Sequence, residues 1–320
     1  MARDDNFFRE ARDFISREAV ALLPLFETFA NEARFAREWL STSLKELPRG
    51  ASILEVGAGS MLLSCQLVRE GFRVTAVEPV GEGFEEFRQL QALVLRAAAC
   101  SGETPTVITE PVERMPELAP FDFAFSVNVM EHVPSVPAAL RSVFSVLRPG
   151  ATYRFTCPNY LFPYEPHFNI PILFSKALTG HLMHSRIAAH TASSDPAGLW
   201  RSLNWISVPG VARVCRTLPK AKVTFDTGML ANALSRVVDD AQFAARRPTW
   251  LIALARLLVA SRAHRLFALL PASLQPLMDC RVQHISVMQD LPRAKLWCLR
   301  LIQASAHFWH TPWCTAPSRI

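Results

Sequence analysis

The run ILEVGAGSM at residues 53–61 places an acid, Glu55, just ahead of Gly57 and Gly59. Glycines at the end of a buried strand let the chain turn sharply and let a ligand approach bare backbone, and a helix starting beyond them offers unpaired N–H groups. An acid is awkward beside a pyrophosphate and suits a ligand that carries an ammonium group. Leu62 stands where a dinucleotide fingerprint G-x-G-x-x-G would need its third glycine. About twenty residues further on, Glu78 closes a second apolar run in AVEP, where a carboxylate can accept two hydrogen bonds from ribose hydroxyls.

Titratable groups cluster at two other places. His132 lies in MEHVP, after a third strong apolar run, either as a base at the rim or as a structural tie between loop and helix. The stretch PNYLFPYEPHFNIP at 158–171 gathers Tyr160, Tyr164, Glu165 and His167, two of the chain's three tyrosines among them. A proline-stiffened loop of this kind suits an acceptor site, with Tyr160, Tyr164 and Glu165 as substrate contacts. His167 is the first choice for a general base, because an imidazole titrates near ~6.5. No metal site is expected: His181 and His184 are neighbours, but no carboxylate cluster or cysteine pair accompanies them at ligand spacing.

The elements that must position these residues follow from hydrophobic periodicity. Residues 6–46 carry apolar side chains at helical spacing, interrupted by Pro24, which predicts two or three amphipathic helices. From residue 50 strands and helices alternate: SILEVGAG, a helix closed by Gly71, FRVTAVEP, a helix over 82–100, TVIT, FDFAFSVNV, a helix through PAALRSVFSVL, the turn RPG and the strand TYRFTC. Such alternation implies parallel βαβ units. Later, Ser207 is a candidate cap for the helix in SVPGVARVCRTLP, AKVTFDTG and RVQHISVMQ are candidate sixth and seventh strands, and WLIALARLLVASRAHRLFALL is helical. The expected fold is α/β, a Rossmann-like doubly wound, mostly parallel seven-stranded sheet with helical N-terminal and C-terminal additions. The expected division is a helical cap at 1–48, a ligand-binding core at 49–160, insertions with the last strands at 161–290, and a tail at 291–320.

Residues 1–160 hold 16 Lys and Arg against 21 Asp and Glu, and residues 161–320 hold 18 against 7, so the second half is strongly basic. That asymmetry points to an anionic partner, whether a small acidic or lipid-linked molecule, a glycan intermediate or an anionic membrane surface. No motif for specific nucleic-acid recognition accompanies it. The charged N-terminus lacks a secretory h-region and no apolar stretch of spanning length is free of charge, so a cytoplasmic protein is expected, with peripheral membrane contact open. Seven scattered cysteines without a C-x-x-C pair read as reduced thiols.

Taken in order, LEVGAGSM, the acid of AVEP, FDFAFSVNVMEHVP and LRPGATYRFTCPN resemble the Rossmann-like methyltransferases that use S-adenosylmethionine (SAM), in particular the group that includes the ubiquinone-biosynthesis methyltransferases. The resemblance covers about residues 50–160. It implies SAM as cofactor, with Glu55, Gly57 and Gly59 around its methionine portion, Glu78 on its ribose, the segment from Glu110 to Val112 beside its adenine, and Asn128 near the methionine moiety. It also implies methyl transfer to an oxygen, less readily to nitrogen or carbon, of a small, lipid-linked or glycan acceptor. The alternatives are an NAD(P)-binding oxidoreductase and a non-catalytic scaffold of the same fold.

Overall fold

The structure is a computed structural model that describes residues 6–79, 85–100, 102, 104–191, 195–245, 247 and 249–286. Residues 1–284 form one compact unit. The expected tail at 291–320 lies outside the described residues.

Seven strands form the central sheet: β1 (Ser52–Val56), β2 (Arg73–Val77), β3 (Thr106–Ile108), β4 (Phe121–Val127), β5 (Leu147–Pro158), β8 (Ala221–Asp226) and β9 (Leu277–His284), while β6 (Tyr164–Glu165) and β7 (Ile170–Pro171) make a separate hairpin. Their order is β3-β2-β1-β4-β5-β9-β8. The first five run parallel, and β9 pairs antiparallel with both β5 and β8. The seven-stranded, mostly parallel sheet expected from the sequence is therefore present. The order reverses beside β1, so the carboxyl ends of β1 and β4 flank a crevice of the kind where open α/β sheets bind ligands.

β1 and β4 are buried along nearly their whole length, as expected for strands covered on both faces. On one face lie α1 (Asn6–Glu18), α2 (Leu23–Trp39), α3 (Ser41–Lys45), α4 (Leu62–Arg69) and α5 (Glu85–Ala99). Phe7, Phe8, Ile15, Phe26, Leu40 and Leu62 are among their buried side chains. Pro24 starts α2 rather than breaking it, because a proline in the first turn sacrifices no helical hydrogen bond. On the other face α6 (Val136–Ser145) begins at Ser135, whose side chain caps the Ala138 N–H.

A buried ion pair fastens the N-terminal helices to the far side of the sheet. Arg154 on β5 meets Asp279 on β9 through two hydrogen bonds, of 2.7 and 3.1 Å. Trp39 at the end of α2 donates its indole N–H to the same carboxylate at 2.8 Å, and the Arg154 guanidinium lies 4.2 Å over the Trp39 ring.

Several expectations change in detail. The turn predicted at RPG is a bulge inside a continuous β5, where the pairing with β4 jumps from Phe121↔Leu147 to Phe123↔Thr152. The last strand starts at Leu277, earlier than RVQHISVMQ suggests. Ser207 precedes the helix Val208–Cys215, yet its side chain accepts no capping hydrogen bond. The long helix expected after Thr249 stops at Ala260 because Arg262 turns left-handed, with φ 61°, and the chain continues as a 3-10 segment. No helix among the described residues is long and apolar enough to cross a membrane. Cys65, Cys100, Cys157, Cys215 and Cys280 are free thiols, and Cys298 and Cys314 lie outside the described residues.

Candidate functional site

A cavity of about 750 Å³ opens at the carboxyl ends of β1, β2 and β4, lined among others by Glu55, Gly57, Gly59, Glu78, Val112 and Asn128. All six are the cofactor-binding candidates expected from the sequence. Gly57 and Gly59 adopt φ 72° and 54°, a region where side chains are strained. Steric room decides the case for Gly57: a Cβ there would stand 2.2 Å from Val129 Cγ2. The next residue to need a left-handed backbone is Met61, at φ 65°, which ends the loop and starts α4. Asn128, at φ 54°, ends β4 and donates its N–H to Thr156 O at 2.8 Å; asparagine tolerates that conformation better than most residues.

The two acids do different work. Glu78 Oε2 accepts the Gly59 N–H at 2.7 Å, so the end of β2 fixes the loop after β1. Burial pushes the Glu78 carboxyl above its ordinary range, with the Gly59 hydrogen bond pulling the other way. Glu55 is almost wholly buried and bonds the Ser64 hydroxyl on α4. Burial pushes its pKa up to about 8, against the Ser64 bond and helped by the Glu78 charge. A cationic group arriving in the cavity would reverse that shift.

These residues fit SAM by the nature of the surface. A side-chain-free bend, a desolvated carboxyl lacking a cation and a carboxylate at the end of β2 match its amino-acid and ribose ends. The segment from Glu110 to Val112 divides. Val112 is buried against the cavity, whereas Glu110 is exposed and outside its lining; Pro111 and Glu113 line it instead, and Glu113 accepts the Ser135 N–H at 3.0 Å.

His132 and His167 come together at the cavity wall with ring centroids 5.3 Å apart, joined there by Glu131. Glu131 is 0% exposed. Among the described residues, neither of its carboxylate oxygens has a hydrogen-bond partner apart from its own backbone amide. Burial lifts its pKa to about 7, opposed by its own amide and by His167. His132 Nδ1 lies 2.8 Å from Ser202 Oγ, and burial together with His167 lowers its pKa to about 4. His167 Nδ1 lies 2.6 Å from Glu165 Oε1; burial acts against its protonated form, but the Glu165 bond and charge outweigh that and raise its pKa.

Glu165 and the two tyrosines do not line the cavity. Glu165 is fully buried and accepts from His167 Nδ1, the His167 and Phe168 N–H groups and the Tyr160 hydroxyl. Burial works against its charge, but these bonds and the His167 charge hold it below the usual carboxylate range. Tyr160 is buried and stacks on Trp205. Tyr164 points its hydroxyl to Asn169 Oδ1 at 2.6 Å. The expectation of no metal site rested on the spacing around His181 and His184, which are exposed; ligand atoms of Glu131, His132 and His167 all lie within 4.8 Å of one another.

Five further lining residues carry no local sequence signal: Phe29 and Phe35 from α2, and Arg236, Phe243 and Arg247 from the region after β8. Arg236 lies 4.3 Å over the Phe35 ring and 4.4 Å over Phe243, and pairs with Asp240.

Comparison with known proteins bears on this cavity. A family model described as a methyltransferase domain matches residues 28–203, more than half the chain. An uncharacterized protein of Mycobacterium tuberculosis is 50% identical over 278 residues, 87% of this chain and 94% of the relative. The ubiquinone biosynthesis O-methyltransferase of Xanthomonas axonopodis pv. citri is 33% identical over 118 residues, which are 35% of this chain and 44% of that protein. Among solved structures, phosphoethanolamine N-methyltransferase 2 of Haemonchus contortus in complex with SAM aligns with a TM-score of 0.48 and 14% identity, over 86% of this chain and 60% of that one.

Proposed function

This chain belongs to the methyltransferase-domain family; we propose that it is SAM-dependent and methylates an oxygen of an anionic small-molecule, lipid-linked or glycan acceptor. The observation that carries the reading is the glycine loop with its two acids, Glu55 and Glu78, on one cavity wall and the histidine pair on another.

When bound, SAM supplies a methyl group on a sulfonium that leaves as a neutral thioether. The protein's share is to align the partners and exclude water. Gly57 and Gly59 give the cofactor bare backbone, Glu55 supplies a countercharge for its amino group, and Glu78 accepts from its ribose. Pro111, Val112 and Glu113 form the wall beside its base, and Asn128 the floor below its methionine end.

A hydroxyl acceptor must lose its proton on the way. The Nε2 lone pairs of His132 and His167 are the groups proposed to draw that proton away, His167 foremost because Glu165 holds its Nδ1. Arg247, and Arg236 beyond its pairing with Asp240, are the cationic groups of the lining that support an anionic acceptor, and Phe29, Phe35 and Phe243 support one with an apolar portion. A membrane-borne acceptor draws further support from Trp250, Leu254 and Leu257, all exposed on the arginine-bearing helix Thr249–Ala260.

Incubating the purified protein with methyl-labelled SAM and fractionated cell extract tests the reading. Label is expected in an anionic fraction, as a base-stable methyl ether or a base-labile methyl ester. Transfer confined to amines would reassign the acceptor atom, and no transfer to any fraction would leave only a scaffold.

A further inference from the structure

We propose that Glu131, His132 and His167 form a binding site for one divalent first-row transition-metal cation at the acceptor side of the cavity. The claim that the ion binds is independent of the reaction assigned above, whereas the catalytic role given to it rests on that assignment.

Ser202 Oγ donates its proton to Leu199 O at 2.8 Å, so toward His132 the same oxygen acts as an acceptor. His132 therefore carries its proton on Nδ1, which donates to Ser202 at 2.8 Å, and its lone pair on Nε2. Glu165 already accepts from two backbone N–H groups and takes the Nδ1 proton of His167 at 2.6 Å. That leaves the lone pair of His167 on Nε2 as well. Both Nε2 atoms lie 4.0 Å from the same oxygen, Glu131 Oε1. With Glu131 ionised and His167 neutral, three electron-pair donors thus converge on one point.

Buried polar groups are nearly always satisfied, and one that is not calls for a missing ion or water. Glu131 is fully buried and has no partner beyond its own amide. A cation supplies what all three groups lack. Bond lengths of about 2.0–2.2 Å put neighbouring ligand atoms about 3 Å apart, so the ring nitrogens must close by about 1 Å on Oε1.

The remaining features agree. Imidazoles that bind metals donate their other N–H to a carboxylate or similar acceptor, and Glu165 and Ser202 hold those places. Two nitrogens and one oxygen suit a first-row transition metal better than the all-oxygen sets of Ca²⁺ or Mg²⁺. All three residues line the cavity, which leaves further coordination positions to a substrate oxygen. In the loaded enzyme an acceptor hydroxyl on the cation has its pKa lowered. Its O–H bond breaks and the proton goes to water; the oxygen pair then forms the O–CH₃ bond while the S–CH₃ pair returns to sulfur. His167 is then a ligand instead of the proton acceptor.

The test is a Co²⁺ titration of the tag-free, chelator-stripped full chain, followed by visible d–d absorption, with SAM binding measured on the same samples. The expected result is one Co²⁺ per chain, displaced by Zn²⁺. Glu131→Gln and His132→Ala should abolish it with SAM binding retained. Ser202→Ala, which keeps all three ligands, should weaken it about tenfold. Normal SAM binding without stoichiometric Co²⁺ would overturn the site, and so would Co²⁺ binding undiminished in Glu131→Gln and His132→Ala. Co²⁺ binding that needs these residues in a protein that ignores SAM would uphold the site and sink the methyl-transfer reading instead.

Discussion

Glu78 Oε2 accepts the Gly59 N–H at 2.7 Å, so the acid at the end of one strand holds the glycine loop at the end of its neighbour. Oε1 has no protein hydrogen bond among the described residues and is left for a ligand. Glu78→Ala removes the loop's tether and the sugar contact together. We expect SAM and S-adenosylhomocysteine to weaken alike, by about ten- to a hundredfold, because both carry the ribose. Calorimetric titration of both ligands checks this; loss confined to SAM would contradict it.

Gly57→Ala drives a Cβ into Val129. Since the obstacle is a β-branched side chain and the backbone is left-handed, neither can yield cheaply. A stability loss of about 1–3 kcal/mol and loss of SAM binding are expected in thermal unfolding with and without ligand. Gly71→Ala, also left-handed but with open space around its Cβ, should lose stability while keeping SAM binding.

Glu55 makes binding pH-dependent. Its pKa in the free protein is about 8, so it is mainly protonated at pH 7. A bound ammonium group favours the carboxylate and lowers that pKa, which means that SAM binding releases a proton and strengthens as pH rises from about 6 to 7.5. Titration in two buffers of different ionisation enthalpy measures the proton, and Glu55→Gln should abolish its release. Without ligand the linkage runs the other way. A carboxyl whose folded pKa lies above its unfolded value of 4.5 contributes stability below that value and loses it as pH rises through about 8.

His167→Ala should lower turnover about a hundredfold or more and leave the SAM dissociation constant unchanged, since the imidazole belongs to the loop after β5 and not to the glycine loop. Single-turnover kinetics separate the two effects. Unchanged turnover would remove His167 from the reaction.

Asp279→Ala is the contrasting case, a structural defect away from the chemistry. It strands the buried Arg154 guanidinium and the Trp39 indole, at a cost of about 3–5 kcal/mol, readable by denaturant unfolding.

The two halves of the site were unequally legible in the sequence. Glu55, Gly57, Gly59 and Glu78 sit at strand ends whose apolar runs are visible, and their roles depend on local backbone, so short motifs report them. The cluster of Glu131, His132 and His167 depends on the loop after β5 folding back beside the loop after β4, and no spacing rule spans those 36 residues. The same loop explains the tyrosines. Tyr160 and Tyr164 look like substrate contacts by composition, yet Glu165 and Asn169 take their hydroxyls. Glu110 and Glu113 are equivalent as letters, and only the 3-10 turn Val112–Arg114 decides which lines the cavity. Arg236 and Phe35, just over 200 residues apart, meet only through tertiary packing.

The most direct measurement is isothermal titration of the purified protein with SAM and, separately, with NADH. One SAM per chain, displaced by S-adenosylhomocysteine, with no heat from NADH, is the predicted result. NADH binding with no response to SAM would contradict the account.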